Sequence, residues 1–572
     1  MFSRLYERLM SDDYGKVLAV LLLMAFVFIF AGIGLRSPWP ADEPRFAEVA
    51  REMVTSGNWF FPIRGGELYP DKPPVFMWSI AFFYWLLGNM KVAFLLPNAL
   101  ASLLTLVCVY DIAAKLWNVR TARVAGLLLL LAPQFMLQAK TAQIDAMVAC
   151  WITVAMYGLI RHFYVKADLR WLCVSGFFMG VGIITKGVGF LPILFFIPVY
   201  IQQALQNRRG SWRMLWEPLL TLGFMLLAVL CWLVPMLYLA DSSGNPDFIA
   251  YRDNIMFKQT GERYANAWHH ILPWWYYLVE AIPSLWFPLS FMVLSRSFWR
   301  FLVRHRIALV LFAWVALVVF FFSWSPGKRG VYILPAVPML ALLMAPWLAQ
   351  QSPERWLQRV IKALLWLVPV LLFVTAGMLL AGKKSLVDHL DGVVSPITVA
   401  LFFAGSGMAW LVILLWQRRA PALQVFGAVM AATWLLYSTW GYVVMEPVRA
   451  GAQKIMADTA ERIGPEAELG LVKFKEQFLL FSPIPLTHFS YLAPMEEQYR
   501  NAWFWQQEQP NRYLLVPKEE PTPCFDISGG ELMGIGHGGE WLLLDRVDML
   551  AECAPPKALK RYQMPFSEDR VL

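Results

Sequence analysis

The chain has 572 residues, 49 basic and 40 acidic side chains, and a net charge of +9; 58% of its residues are apolar, 15% aromatic and 16% charged. A soluble domain carries about 25% charged residues, so there is too little charge here to cover a water-facing surface. With a mean hydropathy of +0.51, this excludes a disordered chain, a disulfide scaffold and a soluble enzyme on a single anchor.

Apolar runs recur over the first four-fifths of the sequence, at 17–35, 92–110, 124–139, 146–160, 171–185, 187–206, 218–240, 271–295, 307–327, 330–350, 363–382, 392–416 and 420–445. A crossing helix needs about 20 apolar residues, and the runs at 146–160 and 171–185 must borrow flanking residues to reach it. The first run is too long for a signal peptide and lacks a small-residue cleavage site before Arg36, so it is read as a span. A further run, 73–89, opens on Pro73-Pro74 and ends on Gly88-Asn89. If it does not cross, the short segments 1–16, 114–123, 161–170, 206–213, 295–306, 351–362 and 417–420 share one side. Together they hold 21 Lys or Arg against 5 Asp or Glu, as cytoplasmic loops do. The expectation is therefore about thirteen spans over 1–445, with the N-terminus inside and 36–91 and 241–273 as outer loops. Residues 446–572 are then an outer domain.

That tail is richer in polar residues and proline. Strand-like runs at Gly470–Phe474, Tyr513–Pro517 and Trp541–Leu544, with helical stretches at 448–462 and 496–508, predict a small α/β domain. Cys524 and Cys553 form an isolated pair in an exported domain, the setting of a disulfide.

Charges near membrane depth are costly and tend to mark function. Along the chain they collect on the expected outer face. In Asp42-Glu43-Pro44-Arg45-Phe46-Ala47-Glu48-Val49-Ala50-Arg51-Glu52-Met53, the residues Phe46, Val49, Ala50 and Met53 recur at helical spacing. This predicts an amphipathic helix in the membrane plane, with Arg45, Glu48, Arg51 and Glu52 on its polar face. Asp42 is either its N-cap or a catalytic carboxylate. Asp71-Lys72-Pro73-Pro74 is either a turn or a rigid carboxylate–ammonium pair. Asp145 starts one span and Lys186, in Thr185-Lys186-Gly187, ends another; a capping acid and a snorkelling lysine are the plain alternatives. The loop 241–273 carries Arg252, Lys258, Arg263, His269 and His270 ahead of an aromatic belt, without the spaced ligand set of a metal site. Lys328-Arg329 runs against the orientation bias, which points to an anionic ligand. No P-loop, dinucleotide fingerprint or nucleophile elbow is present, which argues against a nucleotide donor.

In this order, Asp42-Glu43-x-Arg45-x-x-Glu48, Asp71-Lys72-Pro73-Pro74, Asp145, Thr185-Lys186-Gly187 and Lys328-x-x-x-Tyr332-x-x-Pro335 resemble the membrane-embedded GT-C glycosyltransferases that use polyprenyl-phosphate sugars. Among these, the chain resembles the bacterial 4-amino-4-deoxy-L-arabinose (aminoarabinose) lipid A transferases and the protein-mannosyltransferase-like group, over residues 15–445. The resemblance implies an inverting transfer from an undecaprenyl-phosphate-type donor to lipid A or another envelope glycan in the bacterial inner membrane, with the site on the periplasmic face. It makes Asp42 the catalytic carboxylate, with Asp145 as a second. Lys72, Arg263, Tyr332 and Lys186 become donor-phosphate ligands, and Glu43, Arg45, Asp71, Lys328 and Arg329 supporting residues. The chain departs from the aminoarabinose pattern at Asp71, where those enzymes have Glu, and near Gln259, where they have His. A divalent metal is left unassigned. Membrane lipids are expected partners and nucleic acid is not. A protein O-glycosyltransferase of the same architecture and a lipid-linked-sugar flippase are the alternatives; against the flippase, charges gather at one face and no repeated half is seen.

Overall fold

The computed structural model describes residues 2–206, 212–256, 271–387, 390 and 393–564. Among these, nine helices are long and apolar enough to cross a bilayer. There are ten if Val119–Leu131 and Pro133–Ala139, bent by 66° at their junction, count as one. The expected thirteen are not reached, for two reasons. Tyr14–Phe30 and Ala336–Gln350 have only 17 and 15 residues. The run 271–295 is not one helix but the short turns Tyr277–Ala281, Ile282–Leu285 and Leu289–Met292. Pro273, Pro283 and Pro288 interrupt it, because proline lacks the N–H a continuous helix needs. The run 73–89 forms the 13-residue helix Val75–Leu87, about 20 Å long against a hydrocarbon core of about 30 Å.

Burial sorts the long helices. In Ile144–Val165, 83% of the most apolar window is buried within the protein, whereas in Met214–Ser243 and Arg355–Leu380 it is 22%. The first is a central helix. The other two present Leu219, Leu226, Val234, Leu367 and Val374 outward, as lipid-facing helices do. The end of Tyr14–Phe30 comes so close to the π-turn Tyr437–Gly441 that a Cβ on Gly32 would lie 1.8 Å from the Ser438 carbonyl oxygen. Only glycine fits there, at φ 84°.

Helix Glu43–Ser56 and the hairpin Ile63–Arg64/Glu67–Leu68 follow the first helix. The helix is amphipathic as expected, but its polar face is not in water. Glu48, Arg51 and Glu52 are all buried. Local partners offset part of the cost of this burial, while Arg51 Nη1 makes no hydrogen bond among the described residues. Arg51 pairs with Glu48 at 2.6 Å, and Glu52 accepts from the Gly65 and Gly66 N–H groups at 2.5 and 2.9 Å. Burial, reinforced by the neighbouring Glu48, pushes the Glu52 carboxyl well above the usual range. The C-terminal unit packs over the hairpin, with His488 and Phe474 against Gly65 and Tyr562 against Gly66, and reaches the helix itself at Arg45.

That unit begins after helix Tyr442–Arg449. Its six-stranded sheet runs, edge to edge, Glu531–Gly536, Gly539–Leu544, Arg512–Pro517, Glu468–Leu471, Leu486–His488, Tyr562–Met564. The central strand Glu468–Leu471 pairs in parallel with both neighbours, and the outer pairs are antiparallel. Helices Gly451–Ile463 and Met495–Gln507 match the expected stretches. Cys524 and Cys553 are bonded, with Cα atoms 5.1 Å apart.

Candidate active site

Asp42 precedes helix Glu43–Ser56 at the N-cap position, yet its side chain makes no capping hydrogen bond. The cap reading is therefore set aside by the geometry. Its Oδ2 instead accepts from Arg329 Nη2 at 3.2 Å and lies 3.4 Å from Gln143 Nε2. The carboxylate is 19% exposed and the guanidinium 37%, so the pair borders a space open to solvent or substrate.

Asp145 and Lys186 meet in an ion pair, and the two helices that carry them explain why. Ile144–Ile160 starts beside Asp145, the chain turns over at Arg161–Lys166, and Leu169–Lys186 returns to end at Lys186. The turn holding Arg161, Lys166 and Arg170 is thus a helix length away, about 25 Å at 1.5 Å per residue. Asp145 lies in the first turn but is not the N-cap residue, which is Gln143. The Lys186 ammonium lies 4.4 Å from the centre of the Tyr332 ring, a cation–π distance.

The two ion pairs are joined through short backbone links. Arg329 precedes the 3-10 turn Gly330–Ile333, which contains Tyr332, and the Tyr332 N–H donates to the Arg329 carbonyl at 3.0 Å. Tyr277 donates its hydroxyl to the same carbonyl at 3.2 Å. Gln134 donates to the Gly330 carbonyl at 2.8 Å and accepts from Trp286 Nε1 at 2.7 Å. Opposite, Asn98 donates to the carbonyls of Thr141 and Gln143, each at 2.6 Å, and so fixes the turn before Asp145.

Glu43 is buried and acts as the knot between these parts. It takes Arg36 with both oxygens, at 2.5 and 2.8 Å, and accepts from the Trp39 and Ala142 N–H groups at 2.8 Å each. Arg36 also donates to the Lys140 carbonyl at 2.9 Å, and Lys140 donates to the Ile29 and Ala31 carbonyls at 3.0 Å each. Sequence reasoning named Glu43 but missed Arg36. A charge just past the first apolar run was the available signal, because a buried guanidinium requires a partner.

Two expected supporting residues are engaged elsewhere. Arg45 pairs with Glu476 of the C-terminal unit at 3.3 Å. Among the described residues, Lys328 offers its ammonium to carbonyl groups rather than to an anion. It is buried and donates to the carbonyls of Leu272 and Ser325 at 2.9 and 2.5 Å, which ties off the end of helix Arg306–Trp324. Burial lowers its pKa. Asp71 and Lys72 sit in the turn before helix Val75–Leu87, Asp71 exposed and Lys72 half-buried. Arg263, His269 and His270 lie outside the described residues. Among the described residues no three of His, Cys, Asp and Glu come together as a metal site would require.

This assembly places two carboxylates and two cations where several helices end, with an aromatic ring beside one cation. Such a set can hold an anionic group and stabilise charge that develops on it.

A family model described as dolichyl-phosphate-mannose-protein mannosyltransferase matches residues 71–238. The undecaprenyl phosphate-alpha-4-amino-4-deoxy-L-arabinose arabinosyl transferase of Serratia proteamaculans is 29% identical over 431 residues, 73% of this chain and 71% of that protein. The Yersinia enterocolitica protein of the same name is 30% identical over 341 residues, 58% of this chain and 59% of that protein. In three dimensions, the crystal structure of ArnT from Cupriavidus metallidurans bound to undecaprenyl phosphate matches with a TM-score of 0.71 at 22% identity, covering 94% of this chain and 99% of that one. Its apo state matches with a TM-score of 0.72. The resemblance named from the sequence motifs is borne out, in the relatives found and in the fold.

Proposed function

We infer that this chain is a glycosyltransferase of the GT-C type, similar to the aminoarabinose transferases, that takes a sugar from an undecaprenyl-phosphate-type donor. The single observation that carries this is the meeting of the Asp42–Arg329 and Asp145–Lys186–Tyr332 groups at one end of a membrane-length helix bundle. A polyprenyl phosphate must present its headgroup at such a level, with its tail in the bilayer.

The chemistry follows from the donor. The acceptor attacks the anomeric carbon as the bond from that carbon to the lipid-phosphate oxygen breaks, and the phosphate leaves with the electron pair. Charge grows on the phosphate, so Lys186, Lys72, Arg263 and the Tyr332 hydroxyl are assigned to it. Asp42 lies on the sugar side. A hydroxyl acceptor needs a base, which Asp42 supplies. A phosphate acceptor is already ionised; Asp42 then orients it or stabilises an oxocarbenium-like sugar. Arg329 balances Asp42 in the resting site. Asp145 sets the position of Lys186.

Lipid A is the acceptor we assign, and the periplasmic side the location. Support for the side is the opposite placement of Arg161, Lys166 and Arg170 on the far end of the Asp145 and Lys186 helices, where cytoplasmic charge belongs. The test is transfer by purified protein in lipid nanodiscs, from undecaprenyl-phosphate aminoarabinose to lipid A, read by mass spectrometry. A mass increase on lipid A supports the full reading. Donor consumption with only a protein acceptor would keep the reaction class and replace the acceptor. No donor turnover with any acceptor would remove the enzymatic reading.

A further inference from the structure

The residues leading into Asp42 belong to no helix or sheet; Ser37, Pro38 and Pro40 are held through backbone groups and Trp39 through its indole N–H. Those groups are gripped in turn by side chains from a distant part of the chain. Glu446 accepts from the Ser37 N–H at 2.9 Å and from Trp39 Nε1 at 2.6 Å. Gln477 Nε2 donates to the Pro38 carbonyl at 3.0 Å and, at the same distance, to the Arg449 carbonyl. Arg449 Nη2 donates to the Pro40 carbonyl at 2.5 Å. Pro38 and Pro40 have no N–H to be held by, so their carbonyls are the available handles, and both are used. On the far side of Asp42, Glu476 takes Arg45 at 3.3 Å and Arg64 at 2.6 Å.

Gln477 and Glu476 open helix Glu476–Phe481 of the C-terminal unit, and both are buried. Glu446 and Arg449 are three residues apart on helix Tyr442–Arg449 and so share a face. The grip therefore comes from the last hydrophobic helix and the first buried helix of the C-terminal unit acting together. A loop without its own hydrogen-bond ladder takes the conformation its partners impose.

We propose that Glu446, Arg449, Glu476 and Gln477 are positioning residues for Asp42, so that the C-terminal unit is a working part of the transfer site. The proposal rests on the reading of Asp42 as the catalytic carboxylate. None of the four needs to touch substrate. Their effect is to hold the carboxylate in register with the anomeric carbon, where a displacement of about 1 Å costs about 100-fold in rate.

The test is a double-mutant cycle on the full chain. Arg449→Met removes the donor to Pro40 at an exposed position, where folding is little affected. Gln477→Met keeps the side-chain length and loses both amide donations. Each is expected to lower kcat by about 10- to 100-fold with donor KM changed by less than about twofold, the signature of a contact made through the transition state rather than through binding. Arg449→Lys, which still donates, is expected to recover part of the rate. In the Asp42→Asn background, Arg449→Met is expected to cause no further loss, because there is no carboxylate left to misplace. Multiplicative losses in that background, or Arg449→Met and Gln477→Met at the wild-type rate, would overturn the proposal. If Asp42→Asn alone turns over normally, the catalytic reading of Asp42 fails instead, whatever the other variants do. Should Gln477→Met fail to fold, the Arg449 variants decide.

Discussion

Asp42→Asn separates charge from shape at the candidate carboxylate. The side chain makes no capping hydrogen bond, so an amide in its place loses nothing that the helix start depends on. What is lost is the ion pair to Arg329 at 3.2 Å. Unit charges about 4 Å apart attract by roughly 4 kcal/mol at an effective dielectric near 20. Because the Arg329 side chain is 37% exposed, solvent screening reduces the net contribution to about 1 kcal/mol or less. The folded state is therefore expected to lose no more than about 1 kcal/mol, a shift of a few degrees in melting temperature. Turnover is expected to fall by at least about 100-fold, or roughly 2.7 kcal/mol of barrier, the lower end for removing a positioned acid–base group. The assay is single-turnover transfer of radiolabelled sugar from the polyprenyl-phosphate donor, with thermal melts on the same preparation. A near-wild-type rate with an unchanged melt would refute the catalytic assignment. Rate and melt collapsing together would show that the charge pair is structural and would refute the screening argument.

Lys186→Met should weaken binding of undecaprenyl phosphate by about 10- to 100-fold, the range for a charge-assisted contact of roughly 1.5–3 kcal/mol; unchanged affinity in a lipid-binding assay would reduce the Asp145–Lys186 pair to a scaffold. Lys72→Ala is expected to lower donor affinity with little change in melting temperature, since a half-exposed lysine adds little to folding, and equal donor affinity would return Asp71-Lys72 to an ordinary turn. Stability of the C-terminal unit should fall on acidification. Burial, with Arg64 adding to it, holds His488 at about 4, so from about pH 6.5 down to 4 the unfolded chain binds a proton the folded one excludes. Stability present above pH 6.5 is lost across that window, by at most about 3 kcal/mol for this residue. His537, also at about 4, adds to it, so His488→Gln should reduce the slope of melting temperature against pH without abolishing it. A slope unaffected by His488→Gln would contradict the assignment. Finally, a reporter active only in the periplasm should work when fused after Leu572 and fail when fused after Gln206; the reverse would invert the orientation of every residue discussed.

The helical membrane architecture was legible because apolar runs are a one-dimensional signal. Asp42, Asp145, Lys186 and Arg329 stood out for a related reason, as charges where a bilayer disfavours them. The same logic overreached at 271–295, where composition is that of a span but three prolines break the backbone. It also misjudged Glu48, Arg51 and Glu52. Their helical spacing is that of a wet face, and nothing local announces that they are buried. Lys328 and Arg329 are adjacent in sequence and alike in charge, yet one ties carbonyls together and the other faces Asp42. That choice depends on where the Leu272 carbonyl happens to lie. The strands Leu486–His488, Glu531–Gly536 and Tyr562–Met564 escaped because two are three residues long and the third carries two glycines. Gln477 and Glu446 were invisible for the plainest reason: their partners are some 400 residues away.

That separation has a consequence for biosynthesis. The contacts from Glu446, Arg449 and Gln477 to residues 37–40 span 407 to 439 positions of sequence. Chains fold largely in the order in which they emerge, and contacts between distant segments wait for the later one. The segment bearing Asp42 leaves the ribosome among the first, but its grip arrives among the last. While the helices are being inserted, the carboxylate is present without its register. On the proposal made above, a chain stalled before Glu446 would carry Asp42, Asp145, Lys186 and Arg329 in the membrane and still be inert. On the proposed grip, the site becomes competent only when the unit that carries Glu476 and Gln477 has docked on residues 37–40, which makes that docking a late step in building the site.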